Sequence, residues 1–201
     1  MPRRVCLTFY PLATDAHHRN GPGGNMEDAG KSVTGSVSGS VSGSVAGAGT
    51  GTLDVVTPMP GTVAPLSAVP DPLFAAGTVG PGMAVVPDPG VEYVTVCSPV
   101  AGVLTRLMPH LFLVTTDGGL PVLVHIGIDT AQLDGQGYST HVEQGTRVQV
   151  GQRVTTYAPL SIGRLGFDPI VAVVMMQQDG GVEEGLMPGE PSEPGDVLFR
   201  F

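Results

Sequence analysis

The sequence predicts an all-β domain, an antiparallel β-sandwich with an internal duplication and low helix content, behind a long N-terminal tail. Three observations carry this expectation. From Leu53 onward, short runs rich in Val, Ile, Leu and Thr alternate with Pro, Gly and Asp, as in VVTPMPGTV, GMAVVPDPG, LFLVTTDGGLPVLVHIGI and RVQVGQRV, the pattern of short strands bounded by turn formers. The segment from Thr57 to Val63 matches that from Ser98 to Leu104 at an offset of 41 residues, with Leu66 and Leu107 also equivalent. Finally, 30 Gly and 19 Pro accompany an apolar content of 41%, so the excess of turn formers points to turn-rich packed structure rather than general disorder.

Taken in order, residues 1–52 read as a disordered tail and linker. SVTGSVSGSVSGSVAGAGTGT between Ser32 and Thr52 is a Gly/Ser repeat that cannot bury enough apolar surface to offset the entropy of ordering. Upstream, His17 and His18 sit in a segment without periodicity, where a solvated tail is favoured over a metal role. Residues 53–201 form the expected domain, with Pro at strand starts and Gly at corners. The one helical candidate, Ala158 to Phe167, holds a proline and two glycines and is expected to make a single turn.

Composition excludes several classes. Residues 1–52 hold four Lys or Arg against three acids, net +1, and residues 53–201 hold five Arg against fifteen acids, net −10. That field repels nucleic-acid phosphates and anionic membranes, so no nucleic-acid partner is expected. No apolar run approaches the roughly 20 residues of a membrane helix, and the N-terminus lacks a convincing cleavage site. The expectation is a cytoplasmic protein without direct membrane insertion. Cys6 and Cys97 form no C-x-x-C pair, and Cys97 reads as a small apolar strand residue.

Chemistry is concentrated in two histidines. Val122 to Ile128, VLVHIGI, is apolar on both faces except for His125, as in a buried central strand. Upstream, His110 to Thr116 leads into Asp117-Gly118, a favoured two-residue hairpin turn. With that turn, cross-strand partners sum to 235 and His110 faces His125, with Cβ atoms roughly 4.5–5.5 Å apart, close enough for both rings to meet one tetrahedral anion. Pro121 then opposes Val114, where the ladder wants a donor. A burial-disfavoured imidazolium leaves a neutral ring that can attack phosphorus. Asp129, at the strand end, reads equally as an orienting or partner-contacting group and as turn chemistry.

HIGIDT at His125 to Thr130, followed by Leu133-Asp134-Gly135-Gln136-Gly137, resembles the active-site region of the glucose-type enzyme IIA proteins of the phosphoenolpyruvate-dependent sugar phosphotransferase system. Val69-Pro70-Asp71-Pro72-Leu73-Phe74-Ala75, Val79-Gly80-Pro81-Gly82 and Ser98-Pro99-Val100-Ala101-Gly102 look like further segments of that family, and the resemblance covers about Val55 to Phe201. It implies a phosphoryl carrier in which His125 accepts phosphate from the phosphocarrier protein HPr and passes it to a cysteine of the enzyme IIB of a membrane sugar permease. His110 matches the second active-site histidine, which the resemblance makes a hydrogen-bond donor to the phosphoryl group. Val69, Phe74 and Val79 match the family's docking surface, to which Met108 is added from its position. Many members carry a threonine two residues before the second histidine, where this chain has Met108. No cofactor is implied.

The same residues admit readings of other classes. A zinc peptidase of sandwich architecture could use His125 and Asp129, with His141 as a third ligand, but the H-x-H element is missing. A two-histidine site at His110 and His125, completed by a partner carboxylate, would bind metal only weakly, and no stoichiometric metal is expected. A biotin- or lipoyl-carrier must present a lysine, and the only lysine is Lys31 in the tail. A regulatory module, in which phosphorylation of His125 selects target proteins by charge, uses the same surface.

Overall fold

The alternating runs resolve into fourteen short strands among residues 52–201, the part of the chain that the computed structural model describes. The expectations for the tail, the Gly/Ser linker and His17 and His18 lie outside the described residues. The strands are β1 (Asp54–Val56), β2 (Gly61–Pro65), β3 (Gly82–Val86), β4 (Val94–Cys97), β5 (Gly102–Met108), β6 (Leu111–Thr115), β7 (Pro121–Ile128), β8 (Tyr138–Thr140), β9 (Arg147–Val148), β10 (Arg153–Tyr157), β11 (Asp168–Met175), β12 (Glu183–Glu184), β13 (Pro191–Ser192) and β14 (Val197–Arg200). Two short α-helices, α1 (Pro72–Ala75) and α2 (Pro159–Arg164), and two 3₁₀ turns complete the described elements. The expected single turn near Ala158 is thus a six-residue helix, started by Pro159 at a position where its missing N–H costs nothing.

Every strand pairing is antiparallel. Eight strands form one sheet in the order β13-β2-β3-β11-β7-β6-β5-β9, and β1-β14-β12 and β4-β10-β8 form two three-stranded sheets. Alternate residues of the large sheet, including Val63, Val85, Val173, Val124, Phe112 and Leu104, point to one face and pack with Val55, Val96, Val154, Tyr157 and Phe199 of the small sheets, which gives the two-layer sandwich. Burying each such side chain is worth roughly 1.5–3 kcal/mol, so this core dominates over the exposed, solvent-screened pairs Arg147–Asp117 and Arg200–Asp54. No helix among the described residues is long and apolar enough to cross a membrane.

The duplication seen in the sequence organises the sheet. The strand order reads the same from both ends if β13 is matched with β9, β2 with β5, β3 with β6 and β11 with β7. Registers agree: Gly61 faces Ser192 and Thr62 faces Val86, as Gly102 faces Val148 and Val103 faces Thr115. The two repeated Pro-x-x-Gly turns bond reciprocally, Val56 N–H to the Pro99 carbonyl at 3.0 Å and Cys97 N–H to the Pro58 carbonyl at 2.8 Å. At each turn a Cβ on the glycine would strike a carbonyl of the neighbouring strand, Val86 O at 2.3 Å from Gly61 and Thr115 O at 2.2 Å from Gly102. Only glycine admits that approach.

Candidate active site

The central pair β11–β7 carries the site on the face opposite the main core. Across five strands, Ala64, Ala84, Ala172, His125 and Leu111 are successive cross-strand neighbours. Three alanines in that row leave a shallow bed, over which residues 66–76 fold. Leu66, Val69 and Phe74 are buried there with Leu123, Ile128, Ile170 and Val174. The fold-over is pinned by Asp71, whose carboxylate accepts from the Leu73 and Phe74 N–H groups at 2.8 and 3.1 Å, capping the single turn α1 with Pro72 at its start. Phe74 thereby meets the His125 ring edge-on, with centroids 5.4 Å apart at 62°.

His110 reaches the same place, but not by the expected register. The β6–β7 hairpin closes through three residues rather than two: Gly119 takes the left-handed conformation at φ +80°, and Thr116 and Leu120 bond across the loop at 3.0 Å. Asp117-Gly118 therefore forms the turn followed by a left-handed glycine, the common three-residue alternative. Partner numbers shift by one, so Leu111 faces His125, and Pro121 faces Thr115 at the strand start rather than Val114. A slip of one residue would send a strand side chain to the opposite face. His110 escapes that constraint because it lies with Pro109 in the two-residue turn between Met108 and Leu111. Its carbonyl accepts from Ile126 N–H at 2.7 Å, and its buried ring stands 5.5 Å from that of His125, at 63°.

The chain bends immediately after His125. Gly127 is left-handed at φ +74°, and β11 shifts register between Asp168 and Val171 opposite the bend. The bend turns the Gly127 carbonyl back towards the imidazole, where it lies 2.8 Å from Nδ1. A carbonyl only accepts, so Nδ1 carries the proton and Nε2 keeps its lone pair. The His125 pKa is held below the ordinary 6.5, first by burial and then by His110, against the opposing pull of the Gly127 carbonyl, Asp71 and Asp129. Burial and then Arg106 lower that of His110. Both rings are accordingly neutral at pH 7, and the half-buried His125 offers a nucleophilic nitrogen next to a second imidazole that can donate an N–H.

Asp129 is exposed and left-handed at φ 60°. It makes no side-chain hydrogen bond to either ring among the described residues, and it acts on His125 through charge. His141 is not brought into the site: its Nε2 lies 2.7 Å from Thr156 Oγ1 on the β8–β10 side. Among the described residues no group of three or more His, Cys, Asp or Glu side chains is placed to hold a metal ion.

Residues 53–180 match the family described as phosphoenolpyruvate-dependent sugar phosphotransferase system, EIIA 1. The chain belongs to this family. It is 33% identical over 129 residues to a glucose-specific EIIA component of Oceanobacillus iheyensis, covering 63% of this chain and 76% of that one. Against a mannose-specific EIIBCA component of Corynebacterium glutamicum the identity is 40% over 107 residues, 52% of this chain but 15% of that protein; the match to a glucose-specific EIIBCA component of the same organism covers 18%. The chain thus spans under a fifth of the length of those multidomain relatives. Among solved structures, the glucose permease IIA of Mycoplasma capricolum superposes with a TM-score of 0.64 at 29% identity, covering 75% of this chain and 96% of that one. The sandwich read from the sequence is the fold of this EIIA family.

Within the EIIA domain the four residues assigned to a docking surface differ in setting. Val69 and Phe74 are buried, Val79 and Met108 half-buried. Met108 ends β5, with its sulfur 3.5 Å from an Arg106 guanidinium nitrogen. Four further residues, Asp71, Gly127, Thr130 and Tyr138, shape the site. Asp71-Pro72 is a readable helix start, and a lone glycine inside a strand pattern signals close backbone approach. Thr130 bonds the Ile126 carbonyl four residues back at 3.0 Å, and Tyr138 reaches the same carbonyl at 2.8 Å from a strand of another sheet, a proximity that no local pattern reveals.

Proposed function

We propose that this EIIA domain is a phosphoryl carrier of sugar uptake, taking its phosphate from phospho-HPr on His125 Nε2 and delivering it to a cysteine of a sugar-specific enzyme IIB. The observation that carries the reading is the Nδ1–H bond to the Gly127 carbonyl, which leaves Nε2 as the attacking nitrogen beside His110. The Nε2 lone pair forms a new N–P bond as the donor histidine's N–P bond breaks, and that electron pair stays on the donor ring. In the onward step a cysteine thiolate forms the S–P bond and the N–P pair returns to Nε2. Charge spread over the three phosphoryl oxygens is what a carrier must stabilise, and His110 supplies an N–H donor for it, with Arg106 adding positive potential nearby. The relay runs in the cytoplasm, and the charge acquired by His125 would also let regulatory targets distinguish the two forms.

The test is phosphorylation by phosphoenolpyruvate, enzyme I and HPr, with the acid-labile phosphate mapped by mass spectrometry. Wild type and His110→Ala should carry label and His125→Ala none, with His110→Ala slowed in transfer to enzyme IIB. Absence of label on wild type, with another EIIA labelled in parallel, would overturn the reading.

A further inference from the structure

The Ile126 carbonyl is the hinge of the bend that aims the Gly127 carbonyl at His125. Ile126 N–H bonds the His110 carbonyl, so the Ile126 carbonyl faces the same β6 edge of β7, where the Pro109-His110 turn offers it no ladder N–H, and a buried carbonyl must find partners elsewhere. It accepts two hydroxyl donors: Thr130 Oγ1 at 3.0 Å from the 3₁₀ turn that follows β7, and Tyr138 Oη at 2.8 Å from β8 in a different sheet. Thr130 Oγ1 also lies 3.4 Å from the Gly127 carbonyl itself. Thr130 is 1% exposed. Tyr138 stacks on the buried Tyr157, with centroids 6.1 Å apart at 19°, so neither hydroxyl is free to wander. Burial, partly offset by Thr130, pushes the Tyr138 hydroxyl up to about 12, which keeps it a donor throughout the neutral range.

We infer that the Tyr138 and Thr130 hydroxyls are positioning groups for phosphoryl transfer, fixing the Ile126–Gly127 peptide so that the Gly127 carbonyl selects the Nδ1–H tautomer of His125. A glycine in the left-handed region has little intrinsic preference for one orientation of its flanking peptides, so the orientation has to be imposed by what holds the preceding carbonyl. Two donors from separate elements fix a direction that one donor leaves rotatable. With the peptide held, the ring has one satisfactory tautomer; with it loosened, the Nε2–H form becomes accessible, and a protonated Nε2 has no lone pair for phosphorus. This inference rests on the carrier reading for its consequence but not for its measurement.

The experiment is a long-range ¹H–¹⁵N correlation on the full chain labelled with ¹⁵N-histidine, recorded above the His125 titration, which reports the tautomer directly and needs no phosphate donor. Wild type should show His125 protonated at Nδ1. Tyr138→Phe keeps the ring stack and Thr130→Val keeps the shape. Each should move the tautomer ratio towards Nε2–H by about fivefold, the order expected for one neutral hydrogen bond, and slow phosphate uptake from phospho-HPr in proportion. Thr130→Ser, which restores the hydroxyl, should return both readouts towards wild type. A merely structural role would lower the melting temperature without moving the ratio, and an unchanged ratio in Tyr138→Phe overturns the inference even where Thr130→Val fails to fold. A wild type with the Nδ1–H tautomer that takes no phosphate would instead sink the carrier reading and leave the positioning intact.

Discussion

The two halves of the large sheet share strand order, register and turn geometry, yet only one of them carries the paired histidines. The pseudo-twofold that exchanges β2 with β5 and β3 with β6 passes between β7 and β11, and it exchanges His125 with Val174: His125 pairs with Ala172 and Val174 with Leu123 across the same strand pair. Their outer neighbours are likewise equivalent, Leu111 beside His125 and Gly82 beside Val174. The halves part company in their connections. Between β2 and β3 the chain runs through residues 66–81, which hold α1 and lie across the outer face, whereas β5 and β6 are joined by Pro109 and His110 alone. Both connections converge on His125, the long one bringing Phe74 and the short one His110. The duplication frames the candidate site, and the unequal loops furnish the residues around His125.

If that is right, a histidine alone does not make a carrier. Val174→His in a His125→Ala background places an imidazole at the pseudo-symmetric position, but position 176 there is Met rather than a left-handed Gly. The double variant should take no acid-labile phosphate from phospho-HPr, an all-or-none difference from wild type, read by mass spectrometry on protein shown to be folded by circular dichroism. Label at position 174 would mean that the surrounding loops contribute nothing essential.

A smaller effect separates two left-handed glycines. At Gly119 a Cβ would meet nothing within 4 Å, whereas at Gly127 it would lie 2.7 Å from Thr130 Cγ2 and 3.2 Å from the Asp168 carbonyl. Gly119→Ala should cost about 1 kcal/mol, the usual penalty for a left-handed L-residue. Gly127→Ala should cost about 2–4 kcal/mol, because crowding of the buried Thr130 adds to that penalty. Urea unfolding of the two variants compares them directly, and equal losses would show that the bend after His125 yields readily.

These contrasts also mark where the sequence was legible. The sandwich and its duplication were, because Val, Ile and Thr alternation and the twin Pro-x-x-Gly turns are local signals that the packed sheet obeys. His125 stood out because an imidazole in an otherwise apolar strand has to be satisfied. The register differs by one residue from the sequence expectation because Asp117-Gly118-Gly119 supports either a two- or a three-residue loop, and only packing of the alternate faces of β6 decides between them. His110 still reaches His125 because a tight turn, unlike a strand, does not bind its side chain to one face. Tyr138 and Thr130 are not legible in the same way, since their role depends on an Ile126 carbonyl left without a ladder partner beside the Pro109-His110 turn, and Tyr138 reaches it from a strand of another sheet.

The smallest effect follows from titration of the same unequal half. His125 has a folded pKa below 6.5, from burial first and His110 second, while its counterpart Val174 does not titrate. As pH falls through 6.5, the unfolded chain takes up a proton on this residue before the folded one does, so stability falls on acidification and levels off below the folded pKa. The slope from one such group is at most about 1.4 kcal/mol per pH unit. His110, Asp71 and Asp129 face the ring in both forms of the comparison, so the residue itself must be removed to isolate its share. His125→Gln deletes that contribution and keeps a polar side chain of similar reach. Urea unfolding of wild type and His125→Gln between pH 7.5 and 5 should show wild type losing stability relative to the variant as the pH drops. Parallel pH profiles would mean that the ring is as well solvated in the folded domain as in the unfolded chain, and that its neutral state at pH 7 owes nothing to burial beneath Phe74.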